Sequence, residues 1–186
     1  MSKTEFPAFH KLFPPHGERV AYDEAEHGAY AAKVPAELAA EWRQSGFGGY
    51  GDGLIWTPPP DEPLLDHEDW PGLNETAVQV LRTAFASVCV WQDGQFRWLN
   101  VHTGKIGVLG DDAPILFDAS LTEADFRKKV LREPLFGKLR KRLGELSAQE
   151  CYGFAPLPAL GGDSSEEQAI KTPIREYIAM AAQVLG

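Results

Sequence analysis

A chain of 186 residues with 44% hydrophobic and 11% aromatic side chains has ample material for one large domain or two small ones, and excludes a disordered chain. Its formal net charge of −9 is carried entirely by residues 1–75, which hold fourteen acids against five bases; residues 76–186 are balanced. That asymmetry disfavours nucleic acid and anionic membranes as ligands of the acidic part and favours a basic partner.

In chain order, residues 1–33 contain Pro7, Pro14, Pro15 and Gly17 and are expected to be mostly irregular, with at most one short strand. Val34-Pro35 opens a helix with Leu38, Ala39 and Trp42 on its apolar face, ended by Gly46. GFGGYGDG is a turn region, and Leu54-Ile55-Trp56 a short strand stopped by three prolines. After the acidic stretch DEPLLDHEDWPGLNE, the spacing of Ala77, Val78, Leu81 and Phe85 predicts a helix over 76–87. VCVWQ, Asp93-Gly94 and QFRWLNV then form a hairpin with a type I′ turn, and HTGK turns into a third strand, IGVLG. A further strand is expected at Ile115–Phe117.

Ser120 and Glu123 have capping-box spacing ahead of Phe126, Val130 and Leu131, and Pro134 starts another helix that ends at Gly144. The apolar, turn-rich stretch LSAQECYGFAPLPALGG precedes a C-terminal helix begun by Pro173, with Ile174, Tyr177, Ile178, Ala181 and Leu185 in one stripe. The fold class is α+β, an antiparallel sheet or meander packed with helices in two closely associated subdomains.

Residue types that carry catalysis are sparse. The five histidines have no metal-ligand spacing, neither cysteine has a CxxC partner, and GxSxG is absent. Gly104-Lys105 resembles part of a phosphate loop, but Ile106 stands where a hydroxyl would bind magnesium, and a hairpin turn is the better reading. Cys89 and Cys151 read as buried hydrophobes of a reducing compartment. No secretion signal or apolar run of membrane-spanning length is present, so a cytoplasmic protein is expected. No cofactor, metal or catalytic residue is expected.

Two charged stretches remain. Asp61, Glu62, Asp66, Glu68 and Asp69 surround Trp70, an aromatic of the kind that anchors interfaces; the alternative is a solvated loop tethered by Leu64, Leu65 and Trp70. With Tyr50 and Asp52 these make up the candidate partner-binding set. Residues 127–142, RKKVLREPLFGKLRKR, carry eight bases and support a second reading, a nucleic-acid-binding regulator. Leucines at helical spacing within that run favour a solvated amphipathic face instead. Trp42, Trp56, Trp91 and Trp98 are expected in the core.

VPAELAAEWRQSGFGGYGDGLIWTPPPDE resembles the GAD-like domain: a short helix ending in a tryptophan, then Gly-Phe, Tyr, Asp-Gly and an apolar strand leading to proline. NVHTGKIGVL and RLGELSAQECYGFAPLPALGG resemble the C-terminal domain of immunity proteins linked to type VI secretion DNase toxins, with Cys151 in place of a larger apolar residue and Pro158 added. The order of the two and their span, about residues 5–185, are also that family's. The resemblance implies a GAD-like domain over 1–110, acidic and toxin-facing, and a mostly helical immunity domain over 111–186. It implies a non-enzymatic inhibitor that binds a basic DNase toxin one-to-one and occludes its active site, without membrane or direct nucleic-acid contact. An enzyme that modifies the toxin is the further alternative, distinguished by protection at well below one copy per toxin. No motif of the family fixes contact residues, so the candidate set rests on charge and aromatic character alone.

Overall fold

Seven strands follow one another in a single antiparallel meander, each paired only with its chain neighbours, in the computed structural model, which describes residues 4–185. They are β1 (Pro15–Val20), β2 (Phe47–Tyr50), β3 (Ile55–Thr57), β4 (Val78–Thr83), β5 (Val88–Gln92), β6 (Gln95–Asn100) and β7 (Lys105–Val108). A second sheet is the hairpin of β8 (Glu150–Phe154) and β9 (Ala169–Pro173). Helices α1 (Pro7–Leu12), α2 (Glu24–Ala31), α3 (Ala36–Ser45), α4 (Ala124–Lys129), α5 (Glu133–Leu143) and α6 (Ile174–Leu185) surround them. The class is α+β with an open sheet, as the sequence predicts.

Both faces of the large sheet are covered, and the strand register shows which side chains point where. Trp56, Arg82, Val88, Leu99 and Ile106 are successive cross-strand partners and share one face; Leu81, Cys89, Trp98 and Gly107 share the other. Under the second face lies an aromatic core that joins Phe6, Phe9 and Phe13 to Trp42, Phe117, Leu139, Tyr152 and Phe154. Against the first face pack Ile174, Tyr177, Ile178, Ala181 and Ala182 of α6, together with Leu64, Trp70 and Cys151. Each such large apolar side chain contributes about 1.5–3 kcal/mol of burial.

Local chemistry explains most boundaries. Pro35 precedes α3, and Gly46 ends it at φ 63, where a Cβ would lie 2.3 Å from the Val20 carbonyl oxygen. Asp93 (φ 53) and Gly94 (φ 74) make the left-handed turn that the β5–β6 hairpin requires. Gly104 (φ 68) closes the β6–β7 turn, so Gly104-Lys105 is a hairpin element. Pro134 starts α5 and Gly144 ends it, and α6 carries the expected stripe, with Leu185 only half-buried.

Five expectations are corrected. Residues 4–33 hold α1, β1 and α2, because Pro7 sits at a helix start, Pro15 at the first position of an edge strand, and Asp23 caps α2 through Ala25 N and Glu26 N; residues 1–3 of that expectation lie outside the described residues. The helix predicted over 76–87 is strand β4, all six of whose residues are buried. A central strand covered on both faces shows no alternation, so its apolar positions mimic a helical period. Ile115–Phe117 is not a strand but the start of a π-helical turn, Ile115–Ser120, capped by Asp112, whose carboxylate accepts from Ile115 N at 2.7 Å. The cap of α4 is Glu123 itself, accepting from Phe126 N at 2.7 Å, rather than Ser120. Finally, the turn-rich stretch before the last helix contains β8, whose partner β9 the pattern did not reveal.

Candidate functional site: the acidic loop and the junction of the two regions

The loop after β3 carries the acids 61–69 and is fastened from below by buried strand glutamines. Gln79 donates to the carbonyls of Pro59 (2.7 Å) and Glu62 (2.8 Å), and its Oε1 accepts from Leu64 N at 2.9 Å. Gln92 holds the end of the loop through the Gly72 carbonyl (3.2 Å) and Asn74 N (2.9 Å). The sequence feature that marks this anchoring is a glutamine within apolar β4 and another at the end of apolar β5. Leu64 and Trp70 plug the loop into the core.

Trp70 is therefore not an exposed anchor: it is 2% exposed, and it tethers the acids instead of standing among them at the surface. Asp61, Glu62, Asp66, Glu68 and Asp69 are all exposed. Three of them already have partners. Asp61 lies 3.2 Å from His27 Nε2, Glu62 lies 3.9 Å from Arg175, and Asp66 caps the turn through Glu68 N at 3.0 Å. Glu68 and Asp69 have no ion pair among the described residues.

Glu26, His27 and Asp61 bring three potential metal-ligand atoms together. The imidazole excludes the assignment. His27 Nδ1 accepts from Asp23 N at 2.9 Å, which leaves the ring proton on Nε2, the nitrogen that faces Asp61. The cluster is a close polar contact between α2 and the acidic loop.

Tyr50 and Asp52 lie at the other end of β3. Tyr50 is buried, with the Arg19 guanidinium 4.7 Å above its ring and Arg19 Nη2 donating to its hydroxyl at 2.7 Å. Desolvation pushes its hydroxyl upward in pKa, opposed by Arg19. It supports the turn from beneath. Asp52 is exposed and reaches Arg140 of α5 at 3.4 Å, and Arg140 also binds Glu145 at 2.5 Å. The structure thus splits the candidate set into two places, the loop at one end of β3 and Asp52 at the other. Arg140 and Glu145 joined Asp52 without any spacing signal, since 88 residues separate Asp52 from Arg140.

The basic run 127–142 is largely engaged. Arg127 pairs with Glu133 (3.0 Å), Lys129 with Asp125 (2.5 Å) and Lys138 with Glu166 (3.2 Å). Arg132 lies over the rings of Phe85 and Phe154 and donates to the Ser164 carbonyl. Arg142 donates to the Glu166 and Ala169 carbonyls. Such a face is an intramolecular lattice and offers few free donors for phosphates. Both cysteines are buried and free; burial pushes the Cys151 thiol up to about 12 and Cys89 higher still, so neither is a poised thiolate.

Deeper in the molecule, Arg82 is 1% exposed and faces no carboxylate within ion-pair distance among the described residues. It lies 4.5 Å over the Trp56 ring and donates to the carbonyls of Ser147 (3.3 Å) and Ala148 (2.9 Å). Burial lowers its pKa to about 9. It fastens the turn before β8 to the large sheet, and Ala84 extends the seam by accepting from Tyr152 N at 2.8 Å.

A seven-stranded meander with an anchored acidic loop at one end and a second hairpin docked to its central turn defines an α+β protein of a recognisable kind. Residues 6–104 match the GAD-like domain and residues 115–184 match the T6SS immunity protein Tdi1, C-terminal, domain. The first match alone covers more than half of the chain: the protein belongs to the GAD-like family, and its C-terminal region matches a type VI secretion immunity domain. The crystal structure of Atu4351 from Agrobacterium tumefaciens is similar, with a TM-score of 0.70 at 20% identity over 94% of this chain and 86% of that one, and shows the same fold. No curated protein matches the chain. No helix among the described residues is long and apolar enough to cross a membrane.

Proposed function

We propose that this immunity protein neutralises a nuclease toxin by direct, stoichiometric contact, with its acidic part against the toxin's phosphate-binding surface and the active site covered. The observation that carries the reading is the joining of an immunity-family C-terminal region to a part that holds the entire net charge of −9. A DNase must present cations to DNA, so an acidic surface is drawn to the same place; charge sets the encounter rate and buried contacts set the residence time. The exposed acids Asp61, Glu62, Asp66, Glu68, Asp69 and Asp52 are the proposed contacts, with Trp70 and Tyr50 holding them from below. We further propose that residues 1–110 form the toxin-facing unit and 111–186 its brace.

The test is a mixing assay with the nuclease domain of a cognate toxin, sought as a reading frame beside this gene. DNA cleavage should fall in proportion to added protein and stop at one copy per toxin. Full cleavage at excess protein overturns the reading. Protection at far below one copy identifies a catalyst instead.

A further inference from the structure

Two residues that weaken the fold where they stand line one groove. It runs between the β2–β3 turn and α5, encloses about 560 Å³, and is lined by Leu12, Phe13, Leu54 and Phe136 among others. Asp52 adopts φ 60 between Gly51 (φ 56) and Gly53 (φ 94), a conformation that glycine would take without strain. Gly137 sits inside the eleven-residue α5, where nearly any other residue would favour the helix more. A Cβ built on Gly137 meets no atom within 4 Å, so nothing in the fold requires the gap.

One turn further along α5 comes Arg140, which also lines the groove. Its guanidinium is shared by carboxylates from both family regions, Asp52 at 3.4 Å and Glu145 at 2.5 Å, while its Nε is buried without an acceptor. The groove therefore already holds a guanidinium, and holds it incompletely. The remaining acid of the lining, Glu133, is engaged by Arg127.

We propose that this groove receives an arginine of the toxin, which exchanges with Arg140 on Asp52 and Glu145 and lays its stem in the gap left by Gly137, beside Phe136 and the half-open Leu12. This rests on the immunity reading above, and adds to the acidic loop a second contact that neither family region forms alone. The occupant is argued from charge complementarity: an acidic protein, two carboxylates already accepting a guanidinium, an apolar trough for three methylenes, and a partner whose DNA-binding cleft is built from bases.

The test uses the full isotope-labelled chain and N-acetyl-L-arginine amide as probe, followed by NMR. Amide shifts are expected at residues 51–54 and 137, and Arg140→Ala should bind the probe about tenfold more tightly because the internal competitor is gone. Gly137→Leu should abolish the shifts while the rest of the spectrum stays folded. Asp52→Gly and Gly137→Ala should each raise Tm, the first by relieving a left-handed backbone and the second by raising helix propensity. Absence of shifts in both the parent and Arg140→Ala overturns the proposal, as do shifts that Gly137→Leu leaves intact. Concentration-dependent shifts at these residues without probe would assign the groove to a second copy of the chain and also overturn it. With the toxin nuclease domain, Gly137→Leu should weaken the complex about tenfold or more. If the parent binds and Gly137→Leu binds equally, the groove assignment fails and the immunity reading survives; if the parent does not bind, the reading itself fails, and the probe titration still decides what the groove recognises.

Discussion

Phe6 lies face to face on Phe117, with ring centroids 4.4 Å apart and planes 8° from parallel. The contact builds the first turn of the GAD-like region into the start of the immunity region, and Phe9 N, which donates to Asp118 at 2.9 Å, repeats the tie. A single aromatic core spans both. Urea unfolding is therefore expected to show one transition, coincident by tryptophan fluorescence and circular dichroism. Phe6→Ala should lower its free energy by about 3–5 kcal/mol. Two separated transitions would show that the regions are independent bodies.

His102 reaches from the β6–β7 turn to Tyr177 of α6. The Tyr177 hydroxyl accepts from Phe154 N at 3.1 Å, which leaves its own proton for His102 Nδ1 at 3.2 Å. Burial, and secondly the charge of Arg132, push His102 down from 6.5 to about 4. The unfolded chain thus binds a proton that the folded one refuses across that window. Stability is complete above pH 6.5 and falls as pH drops towards 4, at most about 1.4 kcal/mol per pH unit from this group. The difference in unfolding free energy between the parent and His102→Gln should shrink over the same interval; a difference independent of pH would remove His102 from the acid response.

Arg82 holds two carbonyls and one ring at the seam between the sheets. Arg82→Met leaves the Ser147 and Ala148 carbonyls without donors and should cost about 2 kcal/mol or more. Arg82→Lys should recover little, because an ammonium cannot span both acceptors and stack on Trp56 as well. Chemical denaturation checks both.

The acidic loop separates binding from stability. Reversing Glu68 and Asp69 to lysine should change stability by about 0.5 kcal/mol or less, as for other exposed sites, yet slow association with the toxin nuclease domain at low salt. Trp70→Ala should do the opposite, costing about 3–5 kcal/mol of stability because its ring is core. Stopped-flow association at two ionic strengths, beside thermal melts, distinguishes them; an unchanged association rate at low salt removes the electrostatic part of the mechanism.

What the sequence disclosed depended on whether the deciding forces were local. Asp93-Gly94, Pro134 with Gly144, and the stripe of α6 are set by neighbours along the chain, and all were legible. Val78–Thr83 was misread because burial on both faces erased the period of two, which only the position of β4 within the sheet explains. The acids 61–69 were legible as an exposed stretch and Leu64 with Trp70 as its tethers; what these tethers pack against was not, since α6 lies far along the chain. The pairing of Asp52 with Arg140 left no trace for the same reason.

The strictly sequential order of the strands bears on synthesis. Each strand finds its partner as soon as the next one leaves the ribosome, so the sheet can assemble by short-range steps. Its face towards α6 nevertheless stays bare until the last twelve helical residues emerge. A truncated chain would present an uncovered sheet face to the cell's proteases, and a message cut short would yield no surviving guard.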